Sequence, residues 1–116
     1  MAQTIYPDQP PPKHGPDSVP VWPVAIAGLK SIRGVSESLI QAAEERAEVG
    51  IENYGVPLCT NDERVTKTDS MQEALDLTAY LQKMVMERSG KRSQIDAANA
   101  LWHVTQAMIL IHGIEE

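Results

Sequence analysis

Hydrophobic positions in this chain recur at helical spacing in four stretches, and nowhere alternate with polar ones at the two-residue period of a half-buried strand. The first, VAIAGLKSIR at 24–33, predicts a short helix that breaks or kinks near Gly34. Ser36 is placed to cap a longer helix to Tyr54, on which Ile40, Ala43, Ala47, Ile51 and Tyr54 share one face. Gly55 then offers a left-handed cap, and Pro57 prevents the helix from resuming. Asp69 or Ser70 predicts the next start, with Gln72 or Glu73 completing a capping box, and this helix runs to about Arg88 before Ser89-Gly90. Ser93 is placed to cap a final helix through His112, ended by Gly113. The expected fold is all-α, an antiparallel bundle of three to four helices.

Two segments lie outside that pattern. Residues 1–22 read as a Pro-rich arm, since six of the eight prolines, Pro7, Pro10, Pro11, Pro12, Pro16 and Pro20, fall within it and Pro23 follows directly. Such density forbids helix and favours extended polyproline conformations, so the helical domain is expected over 23–116. The arm is read either as a disordered tail or as a segment docking on a neighbouring subunit through Val21 and Trp22. Residues 56–68, VPLCTNDERVTKT, predict a polar loop of a length that carries function or mobility.

The last two helices are apolar on more than one face. Leu77, Leu81, Met84 and Val85 make one stripe of the third, and Leu75, Ala79 and Met86 another. On the fourth, Ile95, Ala98, Leu101, Trp102, Thr105, Met108 and Ile109 oppose Val104, Ala107 and Ile111. One subunit cannot cover that much apolar surface, which predicts a bundle completed by homo-oligomerisation, as a dimer or tetramer. Trp102 is expected in the core, Tyr54 as an anchor of the turn, and His112 as a hydrogen-bonded core or interface histidine.

Charge narrows the partners. The chain has 116 residues and a formal net charge of -6, with no basic stripe to neutralise a nucleic-acid backbone. Cys59 is the only cysteine, which excludes a disulfide framework and a thiolate zinc site. The start lacks the basic and apolar regions of a secretory signal, and MILI at 108–111 is too short to span a bilayer. The expectation is a cytoplasmic protein, of a bacterium or a phage-infected cell, with neither nucleic acid nor membrane as partner.

The acidic residues carry the candidate chemistry. Glu44, Glu45 and Glu48 lie on an acidic strip of the second helix, and Glu73 and Asp76 stand three apart beside the leucines of the third. Carboxylates at i, i+3 and i, i+4 share a helix face. Beside a buried stripe they cost desolvation energy unless a cation pairs them. Residues 49–72, 24 in number, suffice to return the third helix antiparallel to the second. Two such helices would surround one or two hard divalent ions with oxygen ligands, and Mg²⁺ suits carboxylates shared with substrate phosphates. A solvated acidic face is the plainer reading of EERAE alone.

Taken together, EERAE at 44–48 and EALD at 73–76 resemble the EExxE and ExxD signature of the MazG-like branch of the all-α nucleoside triphosphate pyrophosphohydrolases. That likeness covers residues 36 to about 88. A second likeness rests on VWPVAI at 21–26, GIENYGVPL at 50–58 and QEALDLTAYLQ at 72–82. These are similar to a phage and bacterial MazG-like group with VWPLVI, YGTPL, an NGRD loop and a QEALDL helix. Of NGRD only the arginine is matched, by Arg64. The resemblance implies a Mg²⁺-dependent enzyme cleaving a nucleoside triphosphate between its α and β phosphates. Glu44, Glu48, Glu73 and Asp76 would hold metal, with Glu45 as a further ligand or the base for water. Asn61, Arg64 and Lys67 would contact phosphates, against a plain solvated loop as the alternative. Tyr80 is a candidate to stack on a base, against simple packing. The alternative function is a non-catalytic protein that sequesters a nucleotide or serves in a phage assembly.

Overall fold

A computed structural model describes residues 4–115 and contains four α-helices, α1 (Trp22–Ser31), α2 (Glu37–Tyr54), α3 (Thr66–Glu87) and α4 (Ser93–His112). Among the described residues there is no strand, only an isolated antiparallel bridge between Pro20 and Cys59. The fold is all-α, as the hydrophobic periodicity predicts. No helix among the described residues is long and apolar enough to cross a membrane. The chain divides into two compact units, Met1–Gln9 with Val65–Glu116, and Pro10–Arg64.

The first unit is built on the α3–α4 hairpin. Gln94 Nε2 donates to the Val85 carbonyl at 3.0 Å, Thr78 Oγ1 meets Met108 Sδ at 3.5 Å, and Lys67 Nζ donates to the Ile114 carbonyl at 2.8 Å. Partner numbers fall as the α3 numbers rise, so the helices are antiparallel. On α3, Met71, Ala74, Thr78, Leu81 and Val85 are buried or half-buried, stepping by three and four. On α4, Gln94, Ala97, Leu101, Val104, Met108 and Ile111 do the same. That alternation of three and four is the spacing of a heptad seam between two packed helices. It divides the expected stripes: Leu81 enters the seam, whereas Leu77 and Met84, one step to the side, stay exposed. Trp102, expected in the core, is 59% exposed, because one neighbouring helix covers a single stripe and Trp102 stands beside it.

The helix starts also differ from expectation. Val65 occupies the N-cap of α3 without a side-chain cap bond, so Asp69 lies inside the first turn and Ser70 donates to the Thr66 carbonyl at 2.8 Å. The orphan groups find an acceptor elsewhere. Gln9 Oε1 accepts from Val65 N–H at 2.6 Å, while its Nε2 donates to the Val65 carbonyl at 3.0 Å and to Asp69 Oδ1 at 2.7 Å. Gln72 does not close a capping box either; its Nε2 donates to the Tyr6 and Pro7 carbonyls at 3.1 and 2.8 Å. The Tyr6 hydroxyl meets His112 Nδ1, with the two rings edge to face at 5.9 Å. At α4, Arg92 rather than Ser93 is the N-cap.

The second unit packs α1 against α2. Pro23 sits in the first turn of α1, where its missing N–H breaks no intrahelical bond, so the helix starts ahead of the predicted Val24. Ser36 caps α2 as expected, accepting from Leu39 N–H at 3.2 Å, and Gly55 ends it at φ 75°. Ala43 is the buried residue of α2, and Tyr54 is exposed, so it does not anchor the turn by packing. After Gly55 the loop runs beside the Pro-rich segment. Val21 N–H donates to the Leu58 carbonyl, Thr60 N–H to Val19 and Lys13 N–H to Asp62, each at 2.9 Å. With so many prolines, few donors remain for such pairing, which keeps it below a regular ladder.

Candidate metal centre

The acids on α2 are presented by its polar face. Glu44 and Glu48 stand one turn apart with Glu45 beside Glu44, opposite the apolar side that buries Ala43. All three are exposed. Glu45 Oε1 accepts from Gln41 Nε2 at 3.2 Å, an i, i+4 contact on the same face. Glu44 also borders an open groove between α1 and α2, lined by Lys30, Glu37, Ile40, Gln41 and Glu44.

On α3, Glu73 and Asp76 lie on the outward side, away from the seam residues Ala74 and Thr78. Both are exposed, although the surrounding leucines predict burial. Leu75 and Leu77 flank them but are themselves exposed, so the carboxylates keep their water and the desolvation cost does not arise. An ion pair on this helix joins Lys83 and Glu87 at 3.1 Å, two turns further on. Among the described residues no lysine or arginine pairs with Glu44, Glu45, Glu48, Glu73 or Asp76.

Hard oxygen donors one turn apart are thus present on both helices. Within either unit, among the described residues, no three His, Cys, Asp or Glu side chains converge as a metal-binding group. The donor chemistry fits Mg²⁺.

The residues expected to touch phosphate have partners within the chain. Asn61 Nδ2 donates to the Asp17 carbonyl at 3.3 Å, and Arg64 Nη1 to the Pro10 carbonyl at 2.7 Å. Lys67 Nζ holds the Ile114 carbonyl. Asn61 and Glu63 adopt left-handed φ of 51° and 65°, around a buried Asp62 whose Oδ1 accepts from Arg64 N–H at 3.1 Å. That bend fixes how the Arg64 main chain leaves the loop. Tyr80 is exposed on α3.

Sequence reasoning did not find the Tyr6, Gln9, Gln72 and His112 set. Its contacts join residues 56 to 106 positions apart, and no local periodicity signals them. No protein-family model matches the chain, and no curated protein or solved structure matches it either.

Proposed function

We propose that this chain is a Mg²⁺-dependent nucleoside triphosphate pyrophosphohydrolase, with carboxylates of α2 and α3 as its metal ligands. The observation that supports this reading is the state of those acids. Glu44, Glu45, Glu48, Glu73 and Asp76 face solvent at one-turn spacing, and no cationic side chain among the described residues neutralises them. Bound there, Mg²⁺ would neutralise polyphosphate charge and activate a water. Glu44, Glu48, Glu73 and Asp76 would be the metal ligands of this reading, with Glu45 as a further ligand or the base for water. Tyr80, one turn beyond Asp76, would offer its ring to a base.

The test is pyrophosphate release from a panel of ribo- and deoxynucleoside triphosphates with Mg²⁺. Wild type should release it, EDTA should stop it, and Asp76→Asn should lower turnover by at least about 100-fold with helix content unchanged. Equal turnover by Asp76→Asn would overturn the assignment.

A second reading is a non-catalytic protein that binds a nucleotide or takes part in an assembly. It is favoured by one observation: Asn61, Arg64 and Lys67 all donate to backbone carbonyls of their own chain. Binding of a nucleotide without product, measured by calorimetry on the same panel, supports this reading over the first.

A further inference from the structure

We infer that the end of the α3–α4 hairpin formed by Val65, Asp69, Gln72 and His112 is a peptide-binding site, occupied by the chain's own Tyr6–Gln9 segment. Its external ligand is an extended peptide carrying Tyr-Pro-Xaa-Gln, which exchanges with that segment. The inference is independent of the metal reading.

The segment meets the hairpin as a linear motif meets a recognition domain. Tyr6 and Gln9 are half-buried, while Pro7 and Asp8 between them are exposed. Extended Pro-rich chain turns once in three residues, so positions i and i+3 lie on one face. That face delivers two side chains to two places. The Tyr6 hydroxyl meets His112 Nδ1, with the rings edge to face. Gln9 forks onto the Val65 main chain, accepting at 2.6 Å and donating at 3.0 Å, and also donates to Asp69 Oδ1 at 2.7 Å. Between these anchors, Gln72 Nε2 holds the Tyr6 and Pro7 carbonyls at 3.1 and 2.8 Å. Main-chain contacts in the middle with side-chain readout at both ends are how extended peptides are recognised. Pro7 has no N–H to satisfy, so no donor is stranded between the anchors.

Two observations make the segment a replaceable ligand rather than part of the core. First, none of Tyr6, Pro7, Asp8 and Gln9 is fully buried, and the cross-helix contacts of Thr78 with Met108 and Gln94 with Val85 involve none of them. Second, its hydrogen bonds to Val65 and His112, and that from Gln72 to Pro7, are exposed, so water replaces them when the segment leaves. Occupancy then owes much to tethering. A short tether holds a ligand at an effective concentration of roughly millimolar order, and an external peptide competes on that scale.

The same contacts set specificity. Phenylalanine in place of Tyr6 lacks the hydroxyl that His112 meets. Glutamate in place of Gln9 loses the donor to the Val65 carbonyl and sets a carboxylate beside Asp69. The site therefore takes Tyr over Phe at the first anchor and Gln over Glu at the second.

Fluorescence anisotropy of a labelled peptide of residues 4–12, TIYPDQPPP, tests this on the full chain. Tyr6→Ala with Gln9→Ala in the protein empties the site. That double variant should bind the peptide at least about 10-fold more tightly than wild type, whose own segment competes. A peptide carrying Gln9→Glu should bind the variant at least about 10-fold more weakly, and one carrying Tyr6→Phe roughly 3-fold more weakly. Adding Gln72→Ala to the variant should weaken binding by roughly 10-fold. A scrambled peptide that binds as well, or equal or absent binding by wild type and variant, overturns the inference. So does a wild-type affinity that rises as the protein is diluted, as with a segment donated by a second copy. Should the variant fail to fold, side-chain amide NMR spectra of the wild type decide the matter. Peptide at roughly millimolar concentration should move the Gln9 amide resonances to those of a solvated amide. Resonances that stay in place overturn it.

Discussion

Gln9 provides the sharpest test of how the N-terminal segment stabilises the hairpin. Its amide replaces the missing side-chain cap of α3, accepting from Val65 N–H and donating to the Val65 carbonyl and Asp69 Oδ1. Gln9→Ala removes all three contacts and leaves the start of α3 to water. Each such bond contributes about 0.5–1.5 kcal/mol net, and the exposure of two of them places those at the low end. Loss of an ordinary N-cap costs about 1 kcal/mol, so the sum is expected at roughly 1–2 kcal/mol. For a chain of this size that lowers the melting temperature by about 4–8 °C.

Circular dichroism during urea and thermal unfolding measures the loss. Amide exchange at Asp69, whose N–H donates to the Val65 carbonyl at 3.2 Å, localises it. Gln9→Glu keeps an acceptor for Val65 but sets a carboxylate beside Asp69, and should cost at least as much as alanine. A double-mutant cycle with Asp69→Ala should yield a coupling of about 0.5–1 kcal/mol. A Gln9→Ala change below about 0.3 kcal/mol, with Asp69 exchange unaltered, would refute the capping role.

Two further predictions concern the helices themselves. Leu81→Ala, in the α3–α4 seam where Leu81 is 8% exposed, should destabilise the chain by about 2–3 kcal/mol in urea unfolding; the shallow seam keeps this at the lower end of core truncations. Gly55→Ala and Gly50→Ala should have opposite signs, although an added Cβ meets nothing within 4 Å at either position. At Gly55 the left-handed φ of 75° makes alanine cost about 1 kcal/mol, whereas within α2 at Gly50 alanine should gain about 0.5–1 kcal/mol, both read from melting curves.

Helix existence was legible because it is written locally. The periodic apolar residues, Ser36 and Gly55 act within a few positions of themselves, and α2 starts and stops where those residues require. Legibility ended at the start of α3. Asp69 has the chemistry of a cap, yet Gln9, far away in sequence, supplies the cap and lets the helix begin at Thr66. The same holds for the candidate site. Spacing determined that Glu44 with Glu48, and Glu73 with Asp76, each share a helix face. Their exposure was not determined by spacing, because leucines beside them imply burial only if a partner helix lies over them.

What the sequence determined by itself is therefore the all-α class, the helix phases and the grouping of acids on single faces. These follow from hydrogen bonding and side-chain direction within one helix. The tertiary structure decided which apolar stripe became the seam, sending Leu81 inward and leaving Trp102 out. It also decided that Asn61, Arg64 and Lys67 serve backbone carbonyls. A helix with apolar residues on several faces has several equivalent ways to pack, and only contact with another segment selects among them.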